Sequence, residues 1–264
     1  MNAVTTDFYT GFGGARLAVH RMGSSIGSAR PLILLHGLFS SAEVNWIKYG
    51  HAARLAEAGF AVIMPDLRAH GQSDAPHDPA AYPADVLIAD LEALVRGLGL
   101  GLSDYDLGGF SLGARNALKG VQAGLTPGRL VLGGMGLEGL TQWSGRTEFF
   151  LDVIDRFGAI PRDDPAYFSQ QFMKTMKIDP VAARLLLQSI AGAGVVDFSG
   201  VLMPTLVVCG TEDRDNGSPQ ALVDALPHGS LAEIPGTHMS CVTRRELGEA
   251  IAGFLAFQHS SDRT

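Results

Sequence analysis

The chain has 264 residues, 46% hydrophobic and 18% charged, with a formal net charge of −7. Such a composition can offset its ordering entropy by apolar burial, which excludes a mainly disordered chain, and its 33 glycines follow no G-x-y period, which excludes a collagen-like one. The acidic balance lacks any basic run and disfavours nucleic acid as a partner, while two cysteines, Cys209 and Cys241, are too few for a disulfide framework.

Residues 1–10 have neither the basic nor the apolar region of a signal peptide, and no apolar run approaches the ~18 residues of a membrane span. A soluble cytoplasmic protein that makes no membrane contact, with its two thiols free, is therefore expected. Residues 16–22 alternate like a half-buried strand. Residues 31–35 form an apolar run broken by His36-Gly37. A helical spacing over 44–58 ends at Gly59, which fits a C-cap. A continuous apolar strand over 60–66 and a second helix over 84–98 come next. The strand 104–110 passes into a helix from Leu112 to about Ala123, and 129–134 is again a strand.

Continuous apolar strands alternating with amphipathic helices imply one α/β domain around a parallel sheet covered on both faces. The rhythm stops after residue 135. It resumes with a strand at 204–210, a helix near 218–226, a strand at 230–235 and a closing helix at about 241–257. Residues 1–134 and 201–264 thus read as one core domain, with 135–200 inserted into it. The insertion reads as helical and is rich in aromatics, among them Trp143, Phe149, Phe150, Phe168 and Phe172. Pro161, Pro165, Pro180 and the run Gly192-Ala193-Gly194 predict several short helices rather than one long one. An insertion of this length between two strands is usually functional. Here it is expected to close over the site as an apolar acyl or aryl pocket.

The pattern G-x-S-x-G occurs twice, at Gly23–Gly27 around Ser25 and at Gly109–Gly113 around Ser111. Its chemistry needs a serine on a very sharp turn, with glycines on either side so that a strand can pass straight into a helix. Ser25 lies in a small-residue turn with no helix after it. Ser111 follows an apolar strand and opens a helix, whose N-terminus lends partial positive charge to a developing oxyanion. Ser111 is the candidate nucleophile.

A nucleophilic serine needs a base, and the base needs an orienting acid. His228 sits in a turn before the last strand and His259 in the polar tail. His238 follows the C-terminal end of the last strand, the edge at which parallel sheets do chemistry. The acid is expected in the loop after strand 204–210: Asp213 first, Asp215 second, and Glu138 a distant third. For the oxyanion, Gly37 permits a turn presenting the Leu38 N–H, and Leu112 N–H is the second donor. His36 is expected to hydrogen-bond within its loop. Neither a metal-ligand cluster nor a phosphate loop is present, so no cofactor or metal is expected.

HGLF at 36–39, DLRAHGQS at 66–73, GFSLG at 109–113, GTEDRD at 210–215 and GTHM at 236–239 have the order and spacing of the α/β-hydrolase family, which this chain resembles over residues 31–240. Ala69 stands where the family usually has glycine. The resemblance implies an eight-stranded, mostly parallel sheet with helices on both faces and a helical lid between strands 6 and 7. The likeness is to the small bacterial esterase, lactonase and C–C hydrolase branch. It implies a Ser111–His238–Asp213 triad acting on a small, largely apolar ester, thioester or lactone. The serine speaks against the dehalogenase and epoxide hydrolase branches, which use aspartate there. C–C bond hydrolysis, acyl transfer, perhydrolysis, and a ligand-binding receptor with a relic triad are the alternatives.

Overall fold

The computed structural model describes residues 3–23, 29–192 and 197–257. The elements, in chain order, are β1 (Thr5–Thr10), β2 (Arg16–Met22), β3 (Arg30–Leu35), α1 (His51–Glu57), β4 (Phe60–Pro65), α2 (Val86–Gly97), β5 (Asp106–Phe110), α3 (Leu112–Gln122) and β6 (Leu130–Gly133). Then follow α4 (Leu137–Thr141), α5 (Trp143–Asp155), α6 (Tyr167–Thr175), α7 (Pro180–Ser189), β7 (Thr205–Gly210), α8 (Pro219–Ala225), β8 (Gly229–Ile234), α9 (His238–Cys241) and α10 (Arg245–Phe257).

The eight strands form one sheet in the order β1-β2-β4-β3-β5-β6-β7-β8. β2 runs antiparallel to both of its neighbours, and every pair from β4 to β8 is parallel. Strand alternation divides the core. Ile33 and Leu35 join Leu91, Leu94 and Leu118 on the face covered by α2 and α3. Leu32 and Leu34 join Trp46, Leu55, Leu247 and Ile251 on the face covered by α1 and α10. Both faces are covered, which is why these strands read as unbroken apolar runs. Each Leu or Ile buried in this way contributes about 1.5–3 kcal/mol.

Three elements differ from the sequence reading. β1 is not legible: five of its six residues are exposed, so it lacks the burial pattern that marks a strand, and it exists by pairing with β2 at the sheet edge. The expected helix over 44–58 is two pieces, a π-helical turn at Glu43–Ile47 and α1, separated at Gly50 with φ 78°. The expected closing helix over 241–257 is α9 plus α10. The Thr237/Ser240 capping box starts α9 earlier, at His238.

Four short helices occupy 137–189, between β6 and β7. Pro161 and Pro165 fall between α5 and α6, and Pro180 opens α7, where its missing N–H costs nothing because the first helical N–H has no intrahelical partner; Asp179 caps the next two N–H groups. Gly192 is described, whereas Ala193 and Gly194 lie outside the described residues. Among the described residues, no helix is long and apolar enough to cross a membrane. Cys209 and Cys241 are buried free thiols, each pushed up to about 12 by burial and the nearby Asp213 charge.

Candidate active site

Ser111 stands between β5 and α3 with φ 53° and ψ −114°, a strained conformation for a residue with a Cβ. The turn is possible because its flanking glycines permit contacts no other residue could. A Cβ on Gly109 would lie 2.2 Å from the Gly113 carbonyl carbon, and one on Gly113 would lie 2.3 Å from Leu35 O. Ser111 N–H donates to Gly133 O at 2.8 Å, tying the elbow to β6. Ser25 and His259 lie outside the described residues.

Asp213 and His238 come together from the loops after β7 and β8. His238 Nδ1 meets Asp213 Oδ2 at 2.8 Å, and both side chains are buried. The other carboxylate oxygen, Oδ1, accepts from Asp215 N–H at 3.0 Å. Burial alone would raise the pKa of Asp213. The His238 hydrogen bond and charge, the Asp215 N–H and Arg146 outweigh it and hold the carboxyl below its ordinary value. The His238 ring also packs on Phe110, with centroids 5.0 Å apart.

The other acids and histidines are elsewhere. Asp215 is exposed and meets Asp213 through its backbone N–H. Glu138 accepts from Ser218 N–H at 2.8 Å, which fixes the loop before α8. His228 is exposed, and its carbonyl accepts from Thr205 N–H, at the start of β7 and so at the far end of the sheet from Ser111. His36 Nδ1 meets Gly37 O at 2.8 Å, and its Nε2 accepts from Leu67 N–H at 2.9 Å, the loop-holding role expected of it.

Among the described residues, the backbone N–H groups of Leu38 and Leu112 have no hydrogen-bond partner. Gly37 serves the loop differently from the expectation. Its φ is not left-handed, and a Cβ there would make only ordinary contacts at 3.5 Å. The positive φ falls on Phe39, at 57°. Phe39 N–H donates to His70 Nε2 at 2.9 Å, and Gly37 N–H to Asn45 Oδ1 at 3.1 Å. His70 can accept that bond because it is neutral: burial lowers its pKa to about 3. Asp66 anchors the same region by accepting from Ala42 and Gln72 N–H at 2.9 Å each.

Ser111, His238, Leu38 and Phe110 line a cavity of about 390 Å³. Trp143, Phe150, Phe168 and Phe172, from α5 and α6, line it as well. Phe150 meets Phe39 edge-on at 5.4 Å, so α5 touches the loop that carries Leu38. Among the described residues, Ser111 Oγ makes no hydrogen bond to His238; in ligand-free sites that bond often tightens only when substrate arrives. No group of three or more His, Cys, Asp or Glu among the described residues could hold a metal ion.

Arg146 escaped the sequence reading. It lines the cavity at i+3 from Trp143 and i−4 from Phe150, one face of α5. That spacing was visible in the sequence, but counting aromatics alone passes over the cation among them.

Residues 30–122 match the family described as alpha/beta hydrolase fold. The chain is 37% identical over 78 residues to "Epoxide hydrolase 2" of Siraitia grosvenorii, a match that covers 29% of this chain and only 23% of that protein. It is 27% identical over 212 residues to "AB hydrolase superfamily protein YisY" of Bacillus subtilis, covering 72% of this chain and 76% of its relative. Its structure resembles that of an esterase from Exiguobacterium antarcticum with a TM-score of 0.70 and 20% identity, over 95% of this chain and 99% of the other. Sheet order, matched segment and full-length structural likeness agree that the chain has the α/β-hydrolase fold.

Proposed function

We propose that this protein is a serine hydrolase that cleaves a small, largely apolar ester, thioester or lactone through an acyl-Ser111 intermediate. The observation that carries the reading is the buried His238–Asp213 pair, 2.8 Å apart, whose histidine lines a cavity that also holds Ser111 in its strained turn. Ser111 Oγ attacks the substrate carbonyl as His238 Nε2 takes its proton. Asp213 keeps the ring proton on Nδ1 and stabilises the imidazolium that forms. The N–H groups of Leu38 and Leu112 donate to the oxyanion. His238 then protonates the leaving group, and a water, activated in turn by His238, releases the acid. The aromatic lining from α5 and α6 accommodates an apolar group and, with the helices between β6 and β7 as a lid, limits the water around the charges.

Epoxide hydrolase relatives do not redirect this reading, because this chain has serine at the position where that branch uses aspartate. The test is turnover of p-nitrophenyl butyrate together with labelling by a small fluorophosphonate. The wild-type protein should turn over steadily and be labelled at Ser111, and Ser111→Ala should lose both. A single burst without turnover would support a receptor with a relic triad. Full activity in Ser111→Ala would remove the nucleophile from the proposal.

A further inference from the structure

The α5 wall of the cavity carries a cation that the proposed hydrolysis does not use. Arg146 lines the cavity together with Ser111 and His238. Its Nη1 donates to the Asp215 carbonyl oxygen, while Nε is buried without a hydrogen-bond partner. Among the described residues it forms no ion pair. Its guanidinium lies 6.0 Å from the Trp143 ring centroid and 5.8 Å from that of Phe150. Trp143 is 1% exposed, and its Nε1 likewise has no partner. Behind it Arg115, 2% exposed, sits 4.7 Å from the same ring with an unpartnered Nη1.

Burial pulls the Arg146 pKa below its ordinary value, against the opposing pull of Asp215 and Asp213. Asp213 is occupied with His238, and Asp215 is exposed. A partly desolvated guanidinium without a carboxylate of its own lacks the acceptor its charge calls for. A planar singly charged group fits it best, because a second negative charge would be repelled by the two aspartates.

We infer that Arg146 is the specificity-determining residue of this cavity and pairs with a carboxylate at the end of the substrate remote from the scissile carbonyl. The preferred substrates are then carboxylate-bearing esters or lactones with an otherwise apolar body. This rests on the cavity being the substrate site of the proposed hydrolase. The competing role is structural: through the Asp215 carbonyl, Arg146 ties α5 to the loop that carries Asp213.

Binding to Ser111→Ala tests the inference without requiring turnover. Monomethyl succinate, glutarate and adipate would each be titrated calorimetrically beside methyl butyrate, valerate and hexanoate. At least one hemiester should bind about 10- to 100-fold more tightly than its uncharged partner, the usual worth of a charge-assisted hydrogen bond. Adding Arg146→Gln should weaken the hemiester far more than the uncharged ester and so abolish that preference, whereas Arg146→Lys should keep part of it. Should Arg146→Gln fail to fold, the preference in the Ser111→Ala parent must still weaken with added salt. No preference in any pair, a preference indifferent to salt, or equal weakening of charged and uncharged esters by Arg146→Gln would overturn the inference. Wild-type turnover of p-nitrophenyl butyrate decides the hydrolase reading separately.

Discussion

Ser111 occupies a backbone conformation that residues with a Cβ avoid, at φ 53° and ψ −114°, held by the Gly133 carbonyl and by the glycines on either side. Strain of this kind persists only where the surroundings impose it, and it sets the hydroxyl at the cavity wall. If the proposed mechanism holds, Ser111→Ala should lower kcat by about 10⁴–10⁶ while changing stability by less than ~1 kcal/mol. Asp213→Asn should cost about 10⁴ in kcat, because an amide favours the wrong His238 tautomer. Asp215 offers Asp213 only its backbone N–H, which survives Asp215→Asn, so that variant should lose less than about tenfold. Steady-state kinetics on the three variants checks the order, and equal losses from the two aspartates would dissolve the assignment of the acid.

At the scale of elements, the junction of β5 and α3 depends on atoms that nearly touch. A Cβ at Gly113 would press against Leu35 O at 2.3 Å and His36 O at 2.8 Å, both backbone atoms with little room to move. Gly113→Ala should therefore destabilise by about 3 kcal/mol, measured as a fall in the urea midpoint. The turn after β4 shows the opposite case. Ala69 adopts φ 65° where the family usually has glycine. Left-handed backbone costs an alanine about 1–2 kcal/mol, and the greater freedom of glycine in the unfolded chain returns about 0.4–1 kcal/mol of that. Ala69→Gly should then gain about 0.5–1 kcal/mol, and a lower melting temperature would show that the Ala69 methyl packs better than this estimate allows.

Across the whole molecule, acid stability is set by neutral buried histidines. His70 is lowered to about 3, and His36 and His51 are lowered in the same direction, burial being the leading cause in each. Unfolding exposes them to their ordinary value near 6.5, so below that pH the unfolded chain binds protons that the folded chain refuses. Their contribution is complete above about pH 6.5 and declines as pH falls, by up to ~1.4 kcal/mol per pH unit for each histidine. The depressed carboxyls of Asp66 and Asp213 behave differently: their contribution persists until about pH 4 and is lost below it. Urea midpoints should thus fall steadily from pH 6.5 to 4.5 and more steeply below, and His70→Gln should flatten the upper part. A midpoint constant from pH 7.5 to 4.5 would refute this account.

The buried strands, the amphipathic helices and the strand–turn–helix around Ser111 are legible from residue order, because they follow from local apolar period and from glycine at fixed offsets. The sequence also pointed to the loops of Asp213 and His238, since chain order places both beyond the carboxyl ends of parallel strands. Tertiary structure alone decided the rest. β1 forms because β2 offers it an unpaired edge, which no pattern in six mostly exposed residues announces. The Leu38 loop is shaped by long-range bonds from Phe39 to His70 and from Leu67 to His36, partners 31 residues apart in each case. Arg146 looks from its own helix like an ordinary surface charge. The fold turns its face of α5, shared with Trp143 and Phe150, toward the cavity of Ser111, because a helix face takes its meaning from what packs against it.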